Sequence, residues 1–409
     1  MERSPHTTAR RTLPFRGWWL TCLVLFLARP AGGQVQGLVT GDLFPLQHEH
    51  VHSSTLVELP GGDLLCAWFA GSGERKANDV RIMGCRKKPG QPWSLPFLMA
   101  DTPGLPDCNP VLFLDRKKKL WLFWIVVRAN RWEASLLKYR TSTQYAGKGA
   151  PRWEWQDEVL LQPGDTFATT IHARFRSMEL PELAWSEYAP SYEEMIYRAA
   201  LDPVKRSMGW MTRTLPLQLP SGRILLPLYS DGYNLSLIAR SDDDGTSWQA
   251  SLPIVGRGNV QPALVRKKDG TLMAWMRDNG DAPGRIMTST SHDDGITWTA
   301  ARKSDLPNPG SSVAVIALRN GHWVMVYNDT EKGRHRLAVS LSTDEGESWP
   351  FTRHIENDPG GEDSYSYPTV IQTRDGMIHV SYSCSRGVFG ETIRHALFDE
   401  SWILGDEHP

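Results

Sequence analysis

An acidic turn closed by a tryptophan occurs three times along the chain. The segments SDDDGTSW, SHDDGITW and STDEGESW begin at Ser241, Ser291 and Ser342, which puts their starts 50 and 51 residues apart. All three fit the pattern S-x-D-x-G-x-[ST]-W. A motif that returns at a fixed period of this length indicates a fold built from repeated supersecondary units.

A second phrase, a short hairpin signal followed by an apolar strand, returns six times. Asp-Gly and Asn-Gly pairs supply the positive φ angles that tight hairpins require. Together with the acidic turn, each unit predicts four antiparallel strands in about 50 residues, a length typical of a propeller blade. The six segments are LPGGDLLCAWF from Leu59, LDRKKKLWLFW from Leu114, LPSGRILLPLY from Leu219, KKDGTLMAWM from Lys267, LRNGHWVMVY from Leu318 and TRDGMIHVSY from Thr373.

These repeats predict an all-β fold, a six-bladed β-propeller of four-stranded antiparallel blades. The stretch Glu187 to Arg206 has helix-forming composition and an apolar spacing near 3.6, so we expect a helical insertion between blades two and three. The alternative interpretation of this interval is a degenerate seventh blade. Residues Gly37 to Phe44 are predicted to add the last strand of blade six and close the ring, which leaves only short sheet edges.

The acidic turns themselves are predicted to be architectural elements at the outer rim. The aspartate accepts backbone N–H groups of its own turn, the glycine permits the bend, and the tryptophan packs between neighbouring blades. Their spacing does not match an EF-hand calcium loop.

Charge and the N-terminal sequence constrain the setting of the protein. A net charge of −1 gives no reason to expect a nucleic acid or an anionic membrane as partner. Residues 1–33 have the order of a secretory signal peptide: arginines, the apolar run Trp18 to Ala28, then small residues before cleavage near Gly33. We therefore expect a secreted or periplasmic protein whose residues 34–409 form the propeller, with no membrane span.

Four cysteines follow the predicted signal: Cys66, Cys85, Cys108 and Cys384. Two disulfides are possible, with Cys66–Cys85 the first pair to test, and free buried cysteines are the alternative. No segment has zinc-ligand spacing. His50 and His52 share a strand face without an evident third ligand, so we expect neither a metal nor another cofactor.

The chemistry of a propeller is expected where the innermost strands begin, because these points converge at the central funnel. Counting back nine or ten residues from each hairpin glycine selects mostly polar residues. They are His52 and Ser53, Thr212 and Arg213, Val260 and Gln261, Ser311 and Ser312, and Ser366 and Tyr367; in blade two the corresponding residue is Asn109. Hydroxyl, amide, imidazole, guanidinium and phenol groups are therefore predicted around one cavity.

Several segments resemble the sialidase superfamily of six-bladed propellers. The three acidic turns resemble its Asp-boxes, and QPALVRKKDGTLMAWMR, RHRLAVSLSTDEGESW and SYPTVIQTRDG resemble site segments of blades four to six. The resemblance implies that Arg277 and Arg334 are two members of the carboxylate-binding arginine triad and that Tyr367 is the nucleophile. A phenol is not repelled by an anionic substrate as a carboxylate is, but it needs activation because its usual pKa is about 10.

Two positions depart from the family pattern. Gln261 stands where the family has the glutamate that activates the tyrosine, and an amide cannot take a proton. At the first triad position, where the family has an arginine near the start of blade one, this chain has His52, a candidate base, acid or weak cation. Asp79, or alternatively Glu74, lies in the loop where the family keeps its acid/base aspartate.

The resulting hypothesis is an exo-acting glycosidase, exo-α-sialidase-like, that removes a terminal acidic sugar, with sialic acid as first candidate. The catalytic set is Tyr367, Asp79, Glu74, His52 and Gln261, and the substrate-binding set is Arg277, Arg334, Arg213 and Asn109. The expected partners are sialylated or other acidic-sugar glycans. The alternatives are a carbohydrate-binding propeller without turnover and a uronate-directed lyase or hydrolase that uses His52. Three residues have alternative interpretations. Tyr365 could be the nucleophile in place of Tyr367, and Tyr367 could instead be an aromatic residue packed between blades. Arg334 could form an ion pair with Glu331 or another surface acid instead of binding substrate.

Overall fold

The computed structural model describes residues 37–178 and 191–405, and these form six four-stranded antiparallel sheets arranged as a six-bladed β-propeller. The predicted fold class is confirmed, and the alternative of a seventh blade is wrong for the described residues. In blades one to five the strands follow one another in sequence, so every pairing is between sequence neighbours; in blade six the pairing of β1 with β24 is the exception. Such local pairing is what the hairpin glycines of the sequence predict.

The strands, in chain order, assemble blade by blade. The first strand, β1 (Val39–Asp42), precedes blade one and belongs to blade six. Blade one contains β2 (His50–Glu58), β3 (Leu64–Gly71), β4 (Arg81–Lys87) and β5 (Phe97–Ala100), and blade two contains β6 (Asp107–Leu114), β7 (Leu120–Val126), β8 (Leu136–Ser142) and β9 (Trp155–Glu158). Blade three contains β10 (Leu217–Gln218), β11 (Ile224–Ser230), β12 (Leu235–Ser241) and β13 (Gln249–Ala250), and blade four contains β14 (Asn259–Arg266), β15 (Leu272–Asp278), β16 (Arg285–Ser291) and β17 (Arg302–Pro307). Blade five contains β18 (Ala314–Ala317), β19 (Trp323–Tyr327), β20 (Arg336–Ser342) and β21 (Phe351–Asn357), and blade six contains β22 (Ser364–Gln372), β23 (Ile378–Ser385) and β24 (Glu391–Phe398), with β1 as its fourth strand.

The ring is closed by strand β1, as predicted. It pairs antiparallel with β24 from Val39 opposite Leu397 to Asp42 opposite Arg394. Blade six is thus built from both ends of the propeller sequence, and the outer edge of β24 is covered rather than left to pair with another chain.

Helices interrupt the propeller between β9 and β10, as predicted for the interval between blades two and three. They are α1 (Thr166–Arg176), α2 (Tyr192–Leu201) and α3 (Pro203–Arg206), and a fourth short helix, α4 (Glu400–Leu404), follows β24. The predicted insertion Glu187 to Arg206 contains α2 and α3, while its first four residues lie outside the described part and α1 was not predicted. Short 3-10 turns occupy Arg128–Asn130, Trp132–Ala134 and Gly387–Phe389.

Each acidic turn is held by its aspartate. In the turn of blade four, the carboxylate of Asp293 accepts the backbone N–H of Thr297 at 2.9 Å and the hydroxyl of Ser291 at 2.8 Å. The turn tryptophans pack against the preceding blade: Trp349 of blade five lies edge-to-face on Trp275 of blade four, with ring centres 5.5 Å apart. The predicted architectural role of the turns agrees with these contacts.

The cysteines require a correction. Cys66 and Cys85 lie directly opposite each other on β3 and β4, but all four cysteines of the described chain are free and buried. The alternative of free buried cysteines is therefore the right one, and the Cys66–Cys85 disulfide is not formed. The predicted signal peptide, residues 1–33, lies outside the described residues, and none of the helices within the described residues is long and apolar enough to span a membrane.

Candidate active site

Four inner strands carry the same irregularity at the end that faces the funnel. In the β2–β3, β6–β7, β14–β15 and β22–β23 pairs, two unpaired residues of the inner strand stand opposite one residue of its neighbour, so the register shifts by one residue. The first residue of each shift has a left-handed backbone, with φ of 58° at Ser53, 51° at Asn109, 57° at Gln261 and 56° at Tyr367. Non-glycine residues rarely adopt this conformation, and such strained bulges serve to redirect a side chain.

Three of these redirected side chains line one cavity of about 360 Å³ at the centre of the ring. They are Asn109, Gln261 and Tyr367, from blades two, four and six. Ser53, the fourth, is fully buried and does not line it. The other residues around the cavity are Glu74, Arg75, Trp132, Tyr192, Ile196, Tyr229, Asp231, Gly232, Asn234, Val260, Arg277 and Asn279.

The phenolic oxygen of Tyr367 lies between an amide and a guanidinium group. Gln261 Nε2 donates to it at 3.2 Å and Arg277 Nη1 at 2.9 Å. Arg334 approaches the same ring from blade five, with its guanidinium carbon 5.5 Å from the ring centre. Its Nη2 donates to the carbonyl oxygen of Gly310 at 2.9 Å, which fixes the orientation of the fork.

Arg213 belongs to the same cluster but not to the cavity wall. Its side chain is 1% exposed and its guanidinium carbon lies 4.9 Å from the ring centre of Tyr367. Its nitrogens donate to two backbone carbonyls, those of Ser54 at 3.3 Å and Pro368 at 2.9 Å. Because burial disfavours its charge, the pKa of Arg213 falls to about 10, so the group is still a cation at neutral pH. Because it is buried, Arg213 can act on Tyr367 through its positive charge but cannot contact a ligand in the cavity directly.

The two histidines of strand β2 differ in protonation. His50 Nδ1 lies 2.9 Å from Glu391 Oε2 and its Nε2 lies 3.6 Å from Glu74 Oε2. Burial lowers the pKa of His50, but the two carboxylates outweigh it and raise that pKa to about 9. His52, packed 4.2 Å from the ring of Tyr367, has its pKa lowered to about 3 by burial and by the nearby cations, Arg334 first among them. At neutral pH His50 is therefore an imidazolium and His52 a neutral imidazole.

The two acid/base candidates of the loop after β3 occupy different environments. Glu74 lines the cavity, whereas Asp79 does not. The carboxylate of Asp79 accepts the backbone N–H of Ser72 at 3.0 Å, and the bonds from Ser72 lower its pKa. Burial raises the pKa of Glu74, but the imidazolium of His50, 3.6 Å away, and the charge of Arg75 bring it below its usual value.

The contacts of Tyr365 and Glu331 decide between the alternative interpretations of Tyr367 and Arg334. Tyr365 is buried in the core of blades five and six, where its ring meets Tyr382 edge-to-face, and its hydroxyl donates to Asp363 at 3.0 Å. Glu331 pairs with Arg285 rather than with Arg334. Tyr367, not Tyr365, thus lines the cavity.

Several cavity residues were not predicted. Tyr229 accepts a hydrogen bond from Asn109 Nδ2 at 3.1 Å, and Asp231 pairs with Arg75 at 2.5 Å. The guanidinium carbon of Arg75 in turn lies 4.2 Å from the ring centre of Trp132.

A count along the sequence could have found Tyr229. It stands seven residues after the hairpin glycine Gly222, as Arg277 stands seven after Gly270; Arg277 lies opposite Val260 of the inner strand, and Tyr229 lies opposite Met211, upstream of β10. No such count exists for Asp231, Trp132 or Tyr192, because they lie in turns and in the insertion.

Comparison with known families gives a match over most of the propeller. Residues 62–380 match the model of the BNR repeat-like domain. No curated protein matches the chain in a sequence comparison.

Solved structures with the same fold share little sequence with the chain. An intramolecular trans-sialidase of the leech, complexed with 2,7-anhydro-Neu5Ac, superposes with a TM-score of 0.65 at 15% identity, covering 90% of this chain and 71% of that one. An intramolecular trans-sialidase from Ruminococcus gnavus gives 0.64 at 14% identity, with 90% and 97% covered. A protein of unknown function from Dyadobacter fermentans gives 0.63 at 16% identity, with 89% and 99% covered. At these identities the likeness establishes the fold.

Proposed function

The chain belongs to the family of BNR repeat-like domains, and we propose that it is an exo-acting glycoside hydrolase that removes a terminal acidic sugar, sialic acid, from glycoconjugates. The names of the structural neighbours, sialidases and trans-sialidases, support this reading. We further propose that the protein is exported, as residues 1–33 predict.

One observation carries the proposal: the guanidinium groups of Arg277 and Arg334 converge on the ring of Tyr367. A planar guanidinium grips a carboxylate through two parallel hydrogen bonds, which lysine cannot do. Sialic acid carries its carboxylate on the anomeric carbon. Binding that carboxylate between the two arginines would therefore bring the anomeric carbon to the phenolic oxygen.

In the proposed reaction Tyr367 releases its phenolic proton to solvent, and its oxygen forms a bond to the anomeric carbon while the glycosidic C–O bond breaks. The leaving oxygen needs a proton, and Glu74 is the carboxyl group of the β3–β4 loop that reaches the cavity. Glu74 is ionised in the free protein, and the adjacent His50 imidazolium holds the proton that the pair delivers. Water then attacks the anomeric carbon, the bond from that carbon to the Tyr367 oxygen breaks, and the proton lost by the water passes to Glu74 and back to His50.

A carbohydrate-binding propeller without turnover is the second candidate, and Gln261 favours it. The residue beside Tyr367 is an amide, which cannot accept the phenolic proton. The lyase alternative has less support, because a His52 with a pKa of about 3 is a weak base.

The test is to incubate the protein with sialyl-lactose and, separately, with uronate-ended oligosaccharides. Release of free sialic acid supports the proposal. An unsaturated uronate product would support the lyase alternative. Calorimetric binding of sialyl-lactose without any product would support the binding module and contradict the hydrolase.

A further inference from the structure

The contacts of the Tyr367 oxygen all come from hydrogen-bond donors. Gln261 Nε2 and Arg277 Nη1 both carry N–H groups and no lone pair that could take a proton. Within residues 37–178 and 191–405, no carboxylate or imidazole accepts a hydrogen bond from the phenol. An oxygen surrounded in this way is placed to bear negative charge, because each donor stabilises the phenolate more than the neutral phenol.

The charged groups around the ring of Tyr367 also favour its ionised form. Arg213 from blade three, Arg277 from blade four and Arg334 from blade five all contact the phenol or its ring. Blade one contributes the opposing charge of Glu74 and the neutral His52. The His50 imidazolium adds a further positive charge beside Glu74, and Arg75 at the cavity wall is paired with Asp231, so positive groups outnumber carboxylates around the phenol.

The left-handed backbone explains how Gln261 reaches this position. Both Gln261 and Tyr367 are the first residues of a bulge, in blades four and six, and the bulges turn both side chains into the cavity. Gln261 is 1% exposed, so its amide is fixed by packing rather than free in solvent. Its Nε2 remains within hydrogen-bond distance of the phenol.

We propose that Gln261 is a positioning residue that donates to Tyr367 and stabilises it as a phenolate, so that the site activates its nucleophile by charge and hydrogen-bond donation instead of by proton transfer to a carboxylate base. This inference rests on the proposed function for its role in catalysis. The ionisation of Tyr367 is a property of the free protein and does not depend on that role.

The direction of the pKa of Tyr367 agrees with the geometry. Burial raises this pKa, but the guanidinium groups of Arg277 and Arg334 outweigh burial and lower it below its usual value near 10, against the opposing charge of Glu74. The donated bond from Gln261 acts in the same direction as the arginines.

The experiment is a spectroscopic pH titration of tyrosine ionisation without any substrate. The chain has eleven tyrosines, so the signal of Tyr367 is obtained as the difference between the wild-type protein and Tyr367→Phe. Tyr365→Phe is the matched control, since that phenol is buried beside Asp363 and should not contribute below pH 10.

The expected result is a single phenol with a midpoint below 10 that disappears in Tyr367→Phe and persists in Tyr365→Phe. Gln261→Met, which removes the donor at similar volume, should raise the midpoint by about one pH unit, and Gln261→Glu by about one to three units because a like charge faces the phenolate. A wild-type midpoint at or above 10 overturns the proposal, and so does a midpoint lowered by Gln261→Met, which would show that the amide accepts a bond from a neutral phenol.

The titration separates this inference from the proposed function. A low midpoint together with no release of sialic acid would leave the phenolate in place and remove the hydrolase. Release of sialic acid by a protein whose Tyr367 titrates at or above pH 10 would support the hydrolase and overturn the phenolate.

Discussion

Arg277 Nη1 donates a hydrogen bond of 2.9 Å to the phenolic oxygen of Tyr367, across the space between blades four and six. The two residues are 90 positions apart in sequence. They meet because the inner edge of every blade turns toward one axis. This contact joins the group proposed to bind the substrate carboxylate to the group proposed to attack the neighbouring carbon.

Replacing Arg277 by lysine should weaken binding of sialylated ligands by about 10- to 100-fold, because one charge remains but the planar fork is lost. Calorimetric titration with sialyl-lactose measures the effect. Arg285→Lys is the matched control, since Arg285 pairs with Glu331 and does not line the cavity. Equal binding by wild type and Arg277→Lys would remove Arg277 from the carboxylate site.

Replacing Tyr367 by phenylalanine should lower turnover by about 10³-fold or more, because the attacking oxygen is removed. Thermal unfolding should change little, since the phenol lies at the cavity rather than in the core. Tyr365→Phe should keep most of the activity. If Tyr367→Phe hydrolyses sialyl-lactose at a near-normal rate, the assignment of the nucleophile is wrong.

Glu74→Gln and Asp79→Asn distinguish the two acid candidates. Loss of a general acid should lower turnover of sialyl-lactose by about 10²- to 10⁴-fold, and by much less for a sialoside with an aryl leaving group that needs no protonation. We expect this pattern for Glu74→Gln only, because Asp79 is bonded to Ser72 and does not reach the cavity. The reverse pattern would assign the role to Asp79.

The ion pair of His50 and Glu391 predicts a pH dependence of stability. His50 has a pKa of about 9 in the folded protein and about 6.5 when unfolded, so the pair contributes fully below pH 6.5 and its contribution is lost as the pH rises through 9. The free energy of unfolding of Glu391→Gln, measured with urea, should therefore lie below that of the wild type at pH 6.5 and approach it at pH 9.5. A difference that does not change with pH contradicts the assignment.

The acidic turns are predicted to stabilise the fold without entering the chemistry. Asp293→Ala removes the acceptor for Ser291 and Thr297 and should lower the free energy of unfolding by about 1–2 kcal/mol, with unchanged turnover. Asp294→Asn is the control, because the side chain of Asp294 is exposed and asparagine tolerates its left-handed backbone. A change in turnover larger than the change in stability would give the turn a functional role.

The fold was predictable because its signals are local. The hairpin glycines and acidic turns recur in sequence, and hairpin pairing depends only on neighbouring residues. The same count that located the blades placed Gln261 and Tyr367 at the funnel, because each blade repeats one register.

The parts of the site that could not be predicted from the sequence depend on packing between strands and loops of different blades. The Glu391–His50–Glu74 contacts join blade six to blade one through the ring closure, and no local pattern encodes them. The burial of Arg213 beneath Tyr367 and the choice of Glu74 over Asp79 as a cavity residue also follow from tertiary packing. Cys66 and Cys85 show the opposite case, since facing positions on adjacent strands did not produce a bond.

The central claim is that Tyr367 attacks the anomeric carbon of a carboxylate-bearing sugar held by Arg277 and Arg334. The most direct measurement is peptide mapping by mass spectrometry after treatment with a sialosyl fluoride that carries a second fluorine beside the anomeric centre, which slows release of the glycosyl-enzyme. We expect one sialosyl adduct, on Tyr367, that is absent from Tyr367→Phe and reduced in Arg277→Lys. An adduct on another residue, or no adduct on a protein that releases sialic acid, would contradict it.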